Sequence, residues 1–114
     1  METAFRQKVW QALSRIPRGK VATYAQIAKA IGHPNAFRAV GNACNQNPYS
    51  PSVPCHRVVN SNGALGGYAG GIRKKIKLLK QEGIRVRNGK IVDFEKRVTD
   101  AKRLRQKLFF SSEK

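Results

Sequence analysis

Proline and glycine break this chain at short intervals, and the breaks confine it to brief helices and briefer strands. Thr3 to Ile16 carries Phe5, Val9, Trp10, Leu13 and Ile16 at helical spacing until Pro17-Arg18-Gly19 stops it. Lys20 to Ala22 reads as a short extended piece. Thr23 is placed to cap a helix over Tyr24–Ile31, with Ile27 and Ile31 facing the core. Gly32-His33-Pro34 turns the chain, and a second helix is expected from Asn35 to Gln46. Two prolines keep Asn47–Pro51 out of helix. Val53–Val59 reads as a strand around Pro54-Cys55-His56-Arg57, Asn60–Gly63 as a turn, and Leu65–Gly71 as a glycine-dense loop containing Tyr68. Ile72–Glu82 is an amphipathic helix, with Ile72, Ile76 and Leu79 inward and Gly83 at its end. Ile84–Arg87 and Lys90–Asp93 flank Asn88-Gly89, a strong hairpin signal. A basic helix is expected from Phe94 to about Phe110. The fold class is mainly α with short strands (α/β), and 114 residues fit one domain over 1–114.

The two short helices around Gly32 describe a helix-turn-helix over 24–46. In the second, about 100° per residue clusters Phe37, Val40 and Cys44 on one face, which should pack inward. Ala36, Ala39 and Ala43 form a neighbouring stripe of small side chains with Arg38 at its edge. A helix that reads base edges in the major groove presents long polar side chains. An alanine stripe with one long cation suits close approach to a backbone or minor groove, although alanines also serve plain helix packing.

Charge narrows the choice of partner. Residues 1–70 hold eight basic residues and one acidic, residues 71–114 fifteen and five, so both halves are cationic within a net +17. An excess running through a periodic sequence points to a folded face for phosphates. Loading for heat stability normally adds Glu beside Lys, which this chain does not do. No window approaches the roughly 18 apolar residues of a spanning helix, so no membrane role is expected, and no secretory signal is evident.

Two cysteines are too few for a disulfide scaffold. Cys44, on the inward helix face, reads as a small buried hydrophobe. Cys55 stands between Pro54 and His56-Arg57, and adjacent cations favour the thiolate that acts as a nucleophile. Successive side chains on a strand point to opposite faces, so either the backbone bends at Pro54-Cys55 or a water bridges Cys55 and His56. A base at His56 needs a carboxylate to orient it, and Glu82 is the best placed of six acids. His33, His56 and the two cysteines lack metal-ligand spacing, so neither a metal nor another cofactor is expected.

Ile16-Pro17-Arg18-Gly19-Lys20-Val21, Thr23–Ala28, Arg38-Ala39-Val40-Gly41, Asn47-Pro48, Pro54-Cys55-His56-Arg57-Val58, Gly66–Gly71 and Leu78–Gly83 occur in order. Over residues 5–84 the sequence closely resembles the DNA-binding, active-site domain of the O6-alkylguanine-DNA alkyltransferases. The resemblance implies a winged helix-turn-helix-like domain, to which the chain adds an 84–93 hairpin and the basic helix over 94–110. It implies that Cys55 accepts the alkyl group, that His56 is the base acting through water, and that Glu82 orients His56. Tyr24 would rotate the target phosphate and protonate guanine N3, and Asn47 would brace the turn beside the site. Arg38 would fill the hole left by the extruded nucleotide, with Tyr24, Ala36, Ala39 and Ala43 also on the DNA. Val58 and Cys55 would offer carbonyls to the base, and Tyr68, Ala69 and Gly70 would wall the pocket. Ala69 stands where family members commonly have Ser, so a backbone N–H contact survives there and a hydroxyl contact does not. The family's frequent N-terminal, ribonuclease-H-like domain is not matched. The hairpin and basic helix either replace its packing or extend the DNA contact.

The implied partner is double-stranded DNA containing O6-alkylguanine, bound by a monomer, with cooperative binding along DNA left open. Extruding the base exposes O6, and the thioether product makes each molecule act once. An alkyltransferase-like protein that flags damage without transfer is the principal alternative; such relatives typically replace the acceptor cysteine, which is present here. A plain helix-turn-helix regulator would leave Cys55 structural. The expected location is the nucleoid-containing cytoplasm of a prokaryote, or the nucleus of a eukaryote.

Overall fold

A computed structural model describes residues 2–105. Helix α1 (Glu2–Leu13) buries Val9, Ala12 and Leu13. It ends earlier than the apolar spacing predicts, because i→i+3 bonds from Arg15 and Ile16 tighten the chain into Pro17. Strand β1 (Ala22–Thr23) leads directly into α2 (Tyr24–Ala30). A reciprocal capping box fixes that junction: Gln26 N–H donates to Thr23 Oγ1 at 3.0 Å, and Thr23 N–H to Gln26 Oε1 at 2.9 Å. After the turn at Gly32, α3 (Phe37–Asn45) packs on both α1 and α2, and Trp10 Nε1 donates to the Ala43 carbonyl at 2.9 Å.

The predicted strand over Val53–Val59 is mostly a turn. Pro54 (φ −85°, ψ 70°) centres an inverse γ-turn closed by Cys55 N–H on the Val53 carbonyl at 2.9 Å. Cys55–Arg57 then form one 3₁₀ turn, in which Arg57 N–H reaches the Pro54 carbonyl at 3.0 Å. Only β2 (Val58–Val59) is extended, paired in parallel with β1 as Ala22↔Val58 and Thr23↔Val59. Strand alternation divides the interior here. Ala22 and Val58 face a main core with Val9, Leu13, Ile27 and Val40, whereas Val21 and Val59 face a second core of Leu65, Leu79, Ile84 and Ile91.

Helix α4 (Ile72–Gln81) stops in a Schellman motif, with Gly83 N–H on the Lys80 carbonyl and Ile84 N–H on that of Leu79. Gly83 holds φ +84°, which a Cβ would disfavour, and this fixes Glu82 as the C-cap. The Asn88-Gly89 hairpin forms as predicted, with β3 (Val86–Arg87) antiparallel to β4 (Lys90–Ile91). It docks on the preceding loop through Ile91 N–H to Gly63 and Leu65 N–H to Gly89.

The predicted continuous helix from Phe94 is broken. Helix α5 (Phe94–Arg97) gives way to extended Val98, which bridges Val21, and α6 (Ala101–Leu104) restarts on an Asp100 N-cap. β-branched Val98 and Thr99 fit that pairing better than a helix interior, and Thr99 N–H donates to the Val21 carbonyl at 2.7 Å. Leu104 joins the main core and Arg97 ties the Gly19 and Gly83 carbonyls, so residues 94–105 pack against the body. The predicted stretch 106–110 lies outside the described residues.

Candidate active site

The 3₁₀ turn advances side chains by a third of a circle rather than half, which places Cys55 (5 % exposed) and His56 (1 % exposed) both in the interior. His56 Nε2 meets Glu82 Oε2 at 3.0 Å. Arg57 grips the same carboxylate with two hydrogen bonds, Nε to Oε1 at 2.8 Å and Nη2 to Oε2 at 2.7 Å, while its Nη1 donates to the Ile16 carbonyl at 2.7 Å. Burial pushes the Glu82 carboxyl up, but the Arg57 and His56 hydrogen bonds outweigh it and hold the group below the usual carboxylate range. Burial likewise lowers His56, against the opposing pull of Glu82, so the ring is neutral at pH 7. The ionised carboxylate only accepts; Nε2 therefore carries the proton and Nδ1 the lone pair. Nδ1 is buried and has no hydrogen-bond partner among the described residues. Arg57, expected beside the thiol, is instead committed to Glu82.

Tyr24 opens α2 with its ring against Gly66, where a Cβ would come within 3.2 Å of the ring and 3.3 Å of its hydroxyl. Burial raises its hydroxyl to about 12, with Cys44 and Cys55 adding to the shift, so it is a protonated donor at neutral pH. Burial also raises Cys44 to about 12, which leaves a neutral interior thiol. The Tyr68 hydroxyl lies 2.8 Å from Ser50 Oγ; burial raises it, the Ser50 bond lowers it, and nearby Cys55 raises it again. Asn47 Nδ2 donates to the Val53 carbonyl at 2.7 Å and its Oδ1 accepts from Tyr49 N–H at 2.9 Å, tying the loop before Cys55 to itself.

A cleft of about 450 Å³ adjoins Tyr24, lined by Ala25, Phe37, Arg38, Gly41, Asn60, Ser61 and Gly67 as well. Val58 is fully buried in the main core, Ala69 and Gly70 are exposed, Tyr68 is half-buried near Cys55, and none of the four lines this cleft. The Val58 carbonyl accepts from Lys75, and that of Cys55 from Val58 N–H. Gly70 passes so near Tyr68 that a Cβ would approach its ring to 2.9 Å.

The second helix needs two corrections. Ala43, expected on the DNA side, is buried with Val40 and Cys44, because it belongs to the main core with Val9 and Leu13 of α1. Phe37, expected inward, is 50 % exposed, because at the first turn of α3 that face overlooks the cleft rather than the core. Arg38 and Ala39 are exposed and Ala36 is half-buried. Ile72 is exposed for a similar reason, as the first residue of α4. Lys75, missed from the sequence, is fully buried one turn before Leu79. Its Nζ donates to the carbonyls of Val58 (2.8 Å), Leu65 and Gly67 (3.1 Å), and burial lowers it to about 8. It thus ties β2, which follows the Cys55 turn, to the loop that reaches Tyr68.

The methylated-DNA–protein-cysteine methyltransferase of Methanosarcina acetivorans is 56 % identical over 81 residues, 71 % of this chain and 52 % of that protein. The chain spans about half or less of the length of the curated relatives it matches. Mycobacterium tuberculosis OGT, crystallised in complex with DNA, is 42 % identical at a TM-score of 0.67, covering 88 % of this chain and 54 % of that one. S. pombe Atl1, crystallised with damaged DNA containing O6-carboxymethylguanine, is 31 % identical at a TM-score of 0.77, covering 86 % of this chain and 96 % of that one. Residues 4–84 match the family described as 6-O-methylguanine DNA methyltransferase, DNA binding domain, and the chain belongs to that family.

Proposed function

We propose that this protein binds duplex DNA, extrudes O6-alkylguanine and moves the alkyl group irreversibly to Cys55. The observation that carries this reading is the Cys55–His56–Glu82 series, buried at a tight turn near Tyr24. His56 Nδ1 takes the thiol proton through a bridging water, and Glu82 keeps Nε2 protonated so that Nδ1 stays basic. The thiolate forms an S–C bond with the alkyl carbon as the C–O6 bond breaks. The electron pair passes into the purine, where Tyr24 supplies a proton to N3 and is itself reprotonated from His56 through solvent. The product is a thioether and a restored guanine; each molecule reacts once.

Arg38, exposed at the cleft, fills the space of the extruded nucleotide, while exposed Ala39 and half-buried Ala36 let α3 approach the minor groove closely. Asn47 holds the loop ahead of Cys55, and Tyr68 with Ala69 and Gly70 borders the thiol side. Ala43 has no DNA role in this account.

The likeness to S. pombe Atl1 over 96 % of that chain favours a second reading, in which the protein binds the damaged base without transfer. Intact mass after incubation with an O6-methylguanine duplex separates the two. Transfer adds the mass of one CH₂ and is abolished by Cys55→Ser without loss of DNA binding. Tight binding with unchanged mass overturns transfer and establishes the second reading.

A further inference from the structure

We propose that Phe37 is a base-stacking wedge, inserting against the base step next to the nucleotide whose place Arg38 takes. The inference rests on the DNA-binding part of the proposed function and not on alkyl transfer. Phe37 is the first residue of α3, 50 % exposed, and lines the cleft beside Arg38 and Tyr24. The rest of the cleft lining is small or polar, Ala25, Gly41, Asn60, Ser61 and Gly67, and half of the ring surface stays open. Half-exposed at the edge of a cleft, the ring offers a flat apolar face to whatever enters, and the net charge of +17 makes a polyanion that occupant.

The first turn of α3 reads Ala36, Phe37, Arg38, Ala39, so two large side chains project between two small ones. The alanines let the helix press close to the duplex. A ring standing out from a helix so placed must either hold the helix off or enter the base stack. Apolar wedges that enter from the minor groove unstack a base step and bend the duplex, and every base offers the ring a face. Arg38 and Phe37 then divide the work: the cation occupies the vacated position and the ring supports the opened step beside it.

The test uses Cys55→Ser protein, so that transfer plays no part, and an O6-methylguanine duplex with 2-aminopurine next to the lesion. The parent should raise the 2-aminopurine fluorescence on binding. Adding Phe37→Ala should weaken binding by about tenfold and remove that rise, whereas Phe37→Trp should keep both. Phe37→Gln, which keeps length but offers neither a ring nor an apolar wedge, should behave like Phe37→Ala and stands in for it should the alanine variant fold poorly. Affinity and fluorescence unchanged in Phe37→Ala would overturn the wedge while leaving transfer to Cys55 intact. So would a ring found to serve contact between two copies of the chain, seen as loss of self-association in Phe37→Ala at unchanged DNA affinity. Failure of the native protein to take up a methyl group would overturn transfer and leave the wedge standing.

Discussion

Glu82 is the residue on which the site turns. It caps α4, where the helix dipole disfavours an anion, and two hydrogen bonds from Arg57 compensate. Both Glu82 and His56 titrate below their ordinary values of 4.5 and 6.5. The unfolded chain therefore binds more protons than the folded one in acid, and stability rises with pH through these windows. The contribution of Glu82 is complete above 4.5 and lost as pH falls through its lowered value; that of His56 is complete above 6.5 and lost likewise. Methyl transfer measured from pH 8 downward should stay level past 6.5 and fall only where the depressed His56 protonates. A fall centred on 6.5 or above would contradict a buried, neutral base.

Lys75 answers to a different demand. Its ammonium has three protons and meets three carbonyls, so Lys75→Met leaves Val58, Leu65 and Gly67 carbonyls without a donor. Urea unfolding should show a loss of about 3 kcal/mol, against near zero for an exposed lysine such as Lys77. Its position was legible by periodicity, one turn before Leu79, but its charge outweighed that signal, since lysine is almost never fully buried unless paired. The partners are backbone atoms of a glycine loop, which leave no trace in a side-chain pattern. Phe37 was misplaced for the opposite reason: helical spacing gives a face and not where along the helix the core ends.

Among the elements, those with local chemistry were legible and those decided by distant pairing were not. The Thr23–Gln26 box, Gly83 and Asn88-Gly89 each fix their own turn, and the helices and hairpin form close to the expected places. The stretch Val53–Val59 looked extended because it is apolar, yet only its last two residues find a partner in β1. Phe94–Leu104 looked helical until Val21, more than seventy residues earlier, drew Val98 into a bridge. Cys55 and His56 were readable as a pair, and the bend that brings both inside was one of two foreseen ways to reconcile them. At this scale Gly83→Ala forces an L residue into φ +84° directly after Glu82. It should cost about 1 kcal/mol in thermal unfolding and slow transfer as well, because the C-cap that carries Glu82 shifts with it. Full transfer at that loss of stability would show that the cap does not position the carboxylate.

The whole molecule is a small body with a large positive field. The segment after the hairpin is sutured to it by Val98, Arg97 and Leu104, so its basic residues ride on a packed surface. Binding to undamaged duplex should depend steeply on salt: with about six phosphates engaged, affinity falls about 10³-fold between 50 and 200 mM. A shallow slope would mean that the +17 charge does not meet the backbone. Cys44 and Cys55 supply the internal control for the chemistry, since both are interior thiols and only one lies on the turn with His56. The most direct measurement is therefore to expose the native protein to excess duplex carrying isotopically labelled O6-methylguanine, digest it, and count label by peptide. The account predicts one equivalent per chain, all on the Cys55 peptide and none on that of Cys44; label elsewhere, or none in protein that holds the duplex, would contradict it.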